Sequence, residues 1–226
     1  AAHWDMFTDE IISFEPKLGI FNIGINDLNA GITPESAVES METVLLDIKA
    51  ALPEFEVVLV SVNHCPSQGA NVEKIARINA LMRNLAASYD WMYYAEAEYL
   101  FCTDKTDPFS ADPSLFIDGL HPAPAGYALL AEVIRSAIKG ENQPELDEEL
   151  AQEQFVRAKS NKLASLGIYS EKAYTAQNWA LAQSHYNSAA EKIEACTNGT
   201  QLKSLDLSAE IAALQAIPNK SVNLIS

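Results

Sequence analysis

Leu18-Gly-Ile-Phe-Asn-Ile23, an amphipathic run over 36–52 and Val57-Val-Leu-Val-Ser-Val62 together decide the fold. The two flanking runs are short, β-rich and almost wholly apolar, as strands covered on both faces are. Between them Val38, Met41, Val44, Leu45, Ile48 and Leu52 fall on one helical face, behind Thr33 as N-cap and Pro34 at the first helical position. The unit then repeats: 72–88 places Ile75, Ile78, Leu81, Met82 and Leu85 on one face, a third strand is expected at 91–95, and a further helix at 125–138 carries Leu129, Leu130, Val133, Ile134 and Ile138. Strand alternating with amphipathic helix predicts parallel strands and right-handed crossovers in a three-layer α/β/α sandwich.

In such a sheet ligands sit beyond the carboxyl ends of the strands. Asn26 follows the first strand, His64 follows the second, and the loop after the third, roughly 98–117, leads to Asp118 and His121. All are expected on one edge. A His three residues after an Asp can act as a base oriented by that carboxylate, and an uncharged amide at a strand end can stabilise an oxyanion. Neither group attacks an ester by itself. The simpler alternatives are a structural His–Asp hydrogen bond, an Asx-turn at Asn26 and a solvated turn residue at His64; Asp27 reads as a loop-fixing acceptor.

The 226 residues suffice for one sizeable core or a core plus a small second domain. A formal charge of −16 argues against a nucleic-acid or anionic-membrane partner, which would be repelled at long range. Three cysteines, Cys65, Cys102 and Cys196, match no disulfide framework or zinc spacing and read as buried or idle thiols. Neither a cofactor nor a metal is expected. No apolar stretch approaches the roughly 18 residues of a membrane span, and no signal-peptide pattern opens the chain, which begins Ala1-Ala2-His3 as a processed or truncated sequence would.

From Gly140 the pattern changes. Gly-Glu-Asn-Gln-Pro-Glu reads as a linker, so residues 1–139 form one domain and 140–226 a linker plus a small bundle of three helices at 145–166, 175–196 and about 202–217. Breaks are expected from Gly167 to Thr175 and at Asn198-Gly199, where Asn-Gly is first a turn.

The run Phe21-Asn-Ile-Gly-Ile-Asn-Asp27, the Thr33-Pro34-Glu35 helix start, and Asp118-Gly-Leu-His121-Pro122 before Ala125-Gly126-Tyr127 resemble the SGNH hydrolases, or GDSL esterases, over residues 1 to about 139. That resemblance implies a flavodoxin-like parallel sheet of about five strands and a carboxylic ester hydrolase acting on acylated carbohydrates or lipids. It implies His121 as general base, Asp118 as its orienting carboxylate and Asn26 as oxyanion donor; Gly24 and His64, by their place after the strands, are expected to bind substrate. The family's nucleophilic Ser, in a Gly-Asp-Ser block on the first strand, has no counterpart here. Ser61 lies in an apolar strand, Ser67 on a loop and Ser13 in an amphipathic helix, so each reads as structural or solvated. The chain then reads as the downstream part of a longer esterase with its N-terminal strands missing. The alternative is a catalytically inactive binding or spacer protein of the same fold.

In the tail, Ala173-Tyr174-Thr175-Ala-Gln-Asn178-Trp179 and Thr197-Asn-Gly-Thr200-Gln201 resemble FIVAR-type three-helix modules. This implies an extracellular or cell-surface setting and tilts the substrate toward a glycan ester. Trp179 and Tyr174 read as core anchors or, more boldly, as sugar platforms.

Overall fold

The computed structural model describes residues 5–167 and 171–218, in two compact units, 1–147 and 148–226. In the first, α1 (Asp5–Ser13) precedes β1 (Leu18–Phe21), α2 (Ile25–Asn29), α3 (Pro34–Ala51), β2 (Glu56–Val60), α4 (Val72–Ala87), β3 (Met92–Ala95) and α5 (Pro124–Ile138). The three strands are parallel, in the order β1-β2-β3, with Leu18 opposite Glu56 and Val57 opposite Met92. This is the expected α/β class.

β2 is central, and Val57 to Val60 are wholly buried. Because side chains alternate along a strand, Val58 and Val60 face one side, where they join Leu130 and Ala137 of α5 in a single apolar cluster. Val57 and Leu59 point to the opposite layer, formed by α3 and α4, which pack against each other. Thr33 caps α3 through its hydroxyl, which accepts from the Ser36 N–H, and Pro34 takes the first position, as the sequence predicts. Gly19 is glycine for a reason of contact: a Cβ there would lie 2.8 Å from the Phe55 ring.

Each strand is shorter than its apolar run because the chain leaves the ladder early. At Val62 the backbone is buried beyond the end of β2, and the Asn79 carboxamide takes over: Oδ1 accepts from Val62 N and Nδ2 donates to Val62 O, both at 2.8 Å. The outer edge of β3 is closed in the same manner by Gln143, which accepts from Tyr94 N at 2.8 Å and donates to Tyr94 O at 3.2 Å. With Asp147 N also donating to Asn84 Oδ1, the segment expected as linker packs within the first unit, which runs to 147. At the other edge no strand flanks β1 among the described residues, and Leu18 and Ile20 are 38% and 51% exposed.

The second unit holds α6 (Glu148–Ser165), α7 (Ala176–Ala195), α8 (Gly199–Ser204) and α9 (Ser208–Gln215). The last expected helix is thus two short ones, and Asn198 is the N-cap of α8, accepting from Gln201 N, rather than a free turn. Residues 168–170 of the expected break lie outside the described residues. Leu166, Ala189, Ile193, Cys196, Leu202 and Leu207 form one core of this unit. The three cysteines are buried and unpaired with one another.

Asn79→Ala removes both partners of the buried Val62 peptide groups and is expected to cost about 2–5 kcal/mol. Thermal unfolding should show this as a fall in Tm of roughly 5–15 °C; an unchanged Tm would mean that water replaces the clamp.

Candidate functional site

Asp118 organises its own turn. Oδ1 accepts from the backbone N–H of Leu120 at 3.0 Å and of His121 at 2.8 Å, and Oδ2 lies 2.7 Å from His121 Nδ1. These bonds, those to His121 foremost, hold the Asp118 carboxyl well below the usual carboxylate range. An ionised carboxylate only accepts, so His121 Nδ1 carries the proton and Nε2 keeps its lone pair. Both side chains are open, the imidazole 65% exposed and the carboxylate 52%. The result is an oriented imidazole base facing solvent.

The turn closes tightly. Gly119 sits at φ +82°, in the left-handed region that favours glycine. Ile117 N donates to His121 O at 2.8 Å and Ala123 N to Leu115 O at 2.7 Å, delivering the chain into α5 with Pro124 at its first position. Gly126 permits this approach, since a Cβ there would stand 2.6 Å from Leu115 O.

Asn26 lies in the first turn of α2, a five-residue helix starting directly after Gly24. Its side chain is exposed and makes no hydrogen bond among the described residues. A single segment, the 3₁₀ turn Pro66–Asn71, touches both motifs: Asn71 Nδ2 donates to Asn29 Oδ1 at 3.0 Å, and Ser67 N donates to Gly119 O at 3.1 Å. Asn29 is three residues beyond Asn26, on the same helix. The structure therefore draws the Asn26 and His121 segments onto one scaffold.

Gly24 and His64, both expected to meet substrate, are buried. Gly24 adopts φ +116°, and a Cβ there would meet Ile78 and Val62 at 3.0 and 3.1 Å; its place is in the packing of the turn. The His64 imidazole is 2% exposed, edge-on to Tyr99 with centroids 4.8 Å apart. Its backbone N–H bonds Glu98 O at 2.8 Å, which continues the β2–β3 pairing inward. Nε2 stands 3.4 Å from Glu98 Oε1, within charge range but without an aligned hydrogen bond. Burial pushes the Glu98 carboxyl up, yet the contacts with His64 and Asn79 carry it below the ordinary range.

Ser61 is wholly buried; its hydroxyl accepts from Ala97 N at 2.6 Å and donates to Glu96, a structural role. Sequence reasoning passed over Asn79, although an amide among the apolar residues of α4, where Asn84 is also buried, was the available signal. It also passed over Phe109 and Ile117, large exposed apolar side chains. Phe109 lies over Gly69 of the 3₁₀ turn, and Ile117 directly precedes Asp118. Among the described residues no three His, Cys, Asp or Glu side chains converge to hold a metal.

The model of the GDSL-like Lipase/Acylhydrolase family matches residues 1–129, more than half the chain, and the protein belongs to that family. Among solved structures, a candidate GDSL-like lipase from Parabacteroides merdae ATCC 43184 aligns at 18% identity over 60% of this chain and 66% of its own, with a TM-score of 0.50. A candidate platelet activating factor from Streptococcus pneumonia aligns at 23% identity over 53% of this chain and 58% of its own, with a TM-score of 0.47. The chain thus spans less than two thirds of either. At 18% identity the likeness to the first of these is one of fold. No curated protein matches the chain.

Asp118→Asn replaces an acceptor-only group and is expected to loosen the turn and free the imidazole. Because the folded carboxyl is depressed below its unfolded value near 3.9, its contribution to stability is complete above that pH. It is lost only as pH falls toward the folded value. Carboxyl-carbon NMR should find Asp118 still ionised at about pH 3.5, where an ordinary Asp is more than half protonated; ordinary titration would contradict the bonded turn.

Proposed function

We propose that this protein is part of a carboxylic ester hydrolase in which His121 is the general base, Asp118 its orienting carboxylate and Asn26 an oxyanion donor. The observation that carries the reading is the 2.7 Å contact of His121 Nδ1 with Asp118 on an exposed ring, which leaves Nε2 free to take a proton from a hydroxyl. Family membership supports ester hydrolysis in general. In the proposed reaction a serine hydroxyl gives its proton to His121 Nε2 as it attacks the ester carbonyl, and the exposed Asn26 amide donates to the developing oxyanion. The imidazolium, stabilised by Asp118, then returns the proton to the leaving alcohol. Water repeats the sequence on the acyl-enzyme.

The serine is proposed to come from a segment upstream of Ala1 that joins the sheet beside β1. The exposed Leu18 and Ile20 on that edge strand support this placement. For the substrate we propose an acylated carbohydrate or lipid, with Phe109 and Ile117 as an apolar rim for the acyl group. The FIVAR-like tail favours the carbohydrate and an extracellular or cell-surface setting; no helix among the described residues is long and apolar enough to cross a membrane. The alternative reading is a non-catalytic binding or spacer protein of the same fold.

The present chain is expected to hydrolyse aryl acetates no faster than its His121→Ala variant, and to take no label from a serine-directed fluorophosphonate. Preceded by its natural upstream coding sequence, it should label and turn over. There His121→Ala and Asp118→Ala should each lower kcat by about 10³–10⁴-fold, and Asn26→Ala by about 10²-fold. An upstream region without a strand ending in Gly-Asp-Ser would leave the spacer reading. Turnover by the present chain that is lost in Ser67→Ala would instead place the nucleophile at Ser67.

A further inference from the structure

Asn71 occupies the N-cap position of α4 without capping it. An Asn there ordinarily accepts from the first turn of its helix, but the Asn71 side chain makes no such bond, at φ −108° and ψ 8°. Its carboxamide is used sideways instead: Nδ2 donates to Gln68 Oε1 at 2.7 Å and to Asn29 Oδ1 at 3.0 Å. A carboxamide nitrogen carries two hydrogens, so both are in use and the plane of the group is fixed. A cap forgone at the head of a 16-residue helix is stability that local folding gives no reason to lose.

The two acceptors differ in setting. Gln68 is buried and belongs to the same 3₁₀ turn, Pro66–Asn71, so its bond ties Asn71 to the interior. Asn29 is exposed and belongs to α2. Five residues are too few to hold a helix by themselves, Gly24 gives α2 no side-chain cap, and Leu28 is its buried residue. A single buried anchor fixes a point and not an orientation. Asn29 lies three residues after Asn26 on one face of the helix, so the bond from Asn71 grips the face that carries Asn26. Earlier in the same turn, Ser67 N donates to Gly119 O at 3.1 Å, inside the loop that Asp118 closes around His121.

The proposed chemistry needs a fixed separation across this turn. The oxyanion that Asn26 receives and the oxygen whose proton His121 takes are bonded to one carbon in the tetrahedral intermediate, so the amide and the imidazole must keep one mutual geometry. We infer that Asn71 is a positioning residue for this reaction: through Asn29 it fixes the face that presents Asn26, and through the turn it shares with Ser67 it refers that face to the His121 loop. The inference rests on the proposed roles of Asn26 and His121 and adds the residue that sets their separation.

The test has two arms. In the present chain, NMR follows the Asn26 carboxamide, identified by its absence in Asn26→Ala, and the His121 ring Hε1 proton, identified by its absence in His121→Ala. Asn71→Ala is expected to shift both resonances while retaining the helical circular dichroism. Asn71→Asp is expected to restore them, because Asn29 and Gln68 can turn their carboxamides over and donate to the carboxylate. A side chain that merely steadied α2 would move Asn26 and leave His121 in place, and an unmoved His121 overturns the inference. In the protein preceded by its natural upstream sequence, Asn71→Ala should lower kcat about 10–100-fold with KM within about twofold, since misplaced groups cost transition-state stabilisation and not ground-state binding. Asn71→Asp should recover most of that loss. An unchanged kcat, whatever KM does, or a fall that Asn71→Asp does not recover, also overturns the inference. If the longer protein with Asn71 intact turns over no ester while both resonances still move in Asn71→Ala, the hydrolysis reading fails and takes the catalytic role of Asn71 with it, but the coupling across the turn stands.

Discussion

Where β2 ends, the backbone of Val62 is still in the interior, and its N–H and C=O have lost their strand partners. Asn79 supplies both hydrogen bonds from one carboxamide at 2.8 Å. A buried peptide without partners would be costly, so this contact fixes where the chain leaves the sheet. Everything that follows inherits the position: His64 turns inward to Glu98, and the Pro66–Asn71 turn then reaches α2 through Asn71 and the Asp118 turn through Ser67. Two motifs about ninety residues apart are thus referred to one amide on α4.

The same unit contains two imidazole–carboxylate pairs with opposite environments. His121 and Asp118 meet at 2.7 Å in the open, with the carboxylate saturated by backbone donors and the far ring nitrogen available. His64 and Glu98 meet at 3.4 Å in the interior, with Nε2 lacking an aligned partner. Residue types alone do not separate them. Exposure does: a ring open to solvent can meet a substrate, whereas the buried His64 and Glu98 join the loops after β2 and β3 through the His64 N–H and the Glu98 carbonyl.

The two edges of the sheet also differ. At β3 the Gln143 side chain mimics a passing strand and satisfies Tyr94 on both its N–H and C=O. At β1 Leu18 and Ile20 remain exposed, a combination that proteins ordinarily cover. This asymmetry, and not the sequence motif, gives the proposed serine segment a place to sit.

The sequence by itself determined the alternation of strand and helix, the Thr33-Pro34 helix start, the helical character of the tail and the Asp118–His121 turn, because each rests on periodicity or on bonds within a few residues. It could not show α2, since five residues are too few to display a helical period, nor the split between α8 and α9, which needs only a local cap. It placed Gly24 and His64 beside the substrate because both follow strands, yet whether such a residue faces water depends on what packs over it: Val62 and Ile78 for Gly24, Tyr99 and Glu98 for His64. The packing of residues up to 147 within the first unit, the Asn79 clamp and the bonds of Asn71 to Asn29 and Gln68 were likewise decided only by the tertiary structure. Each arises where side chains distant in sequence meet, and a periodic pattern records the face a residue occupies without recording its partner across the core.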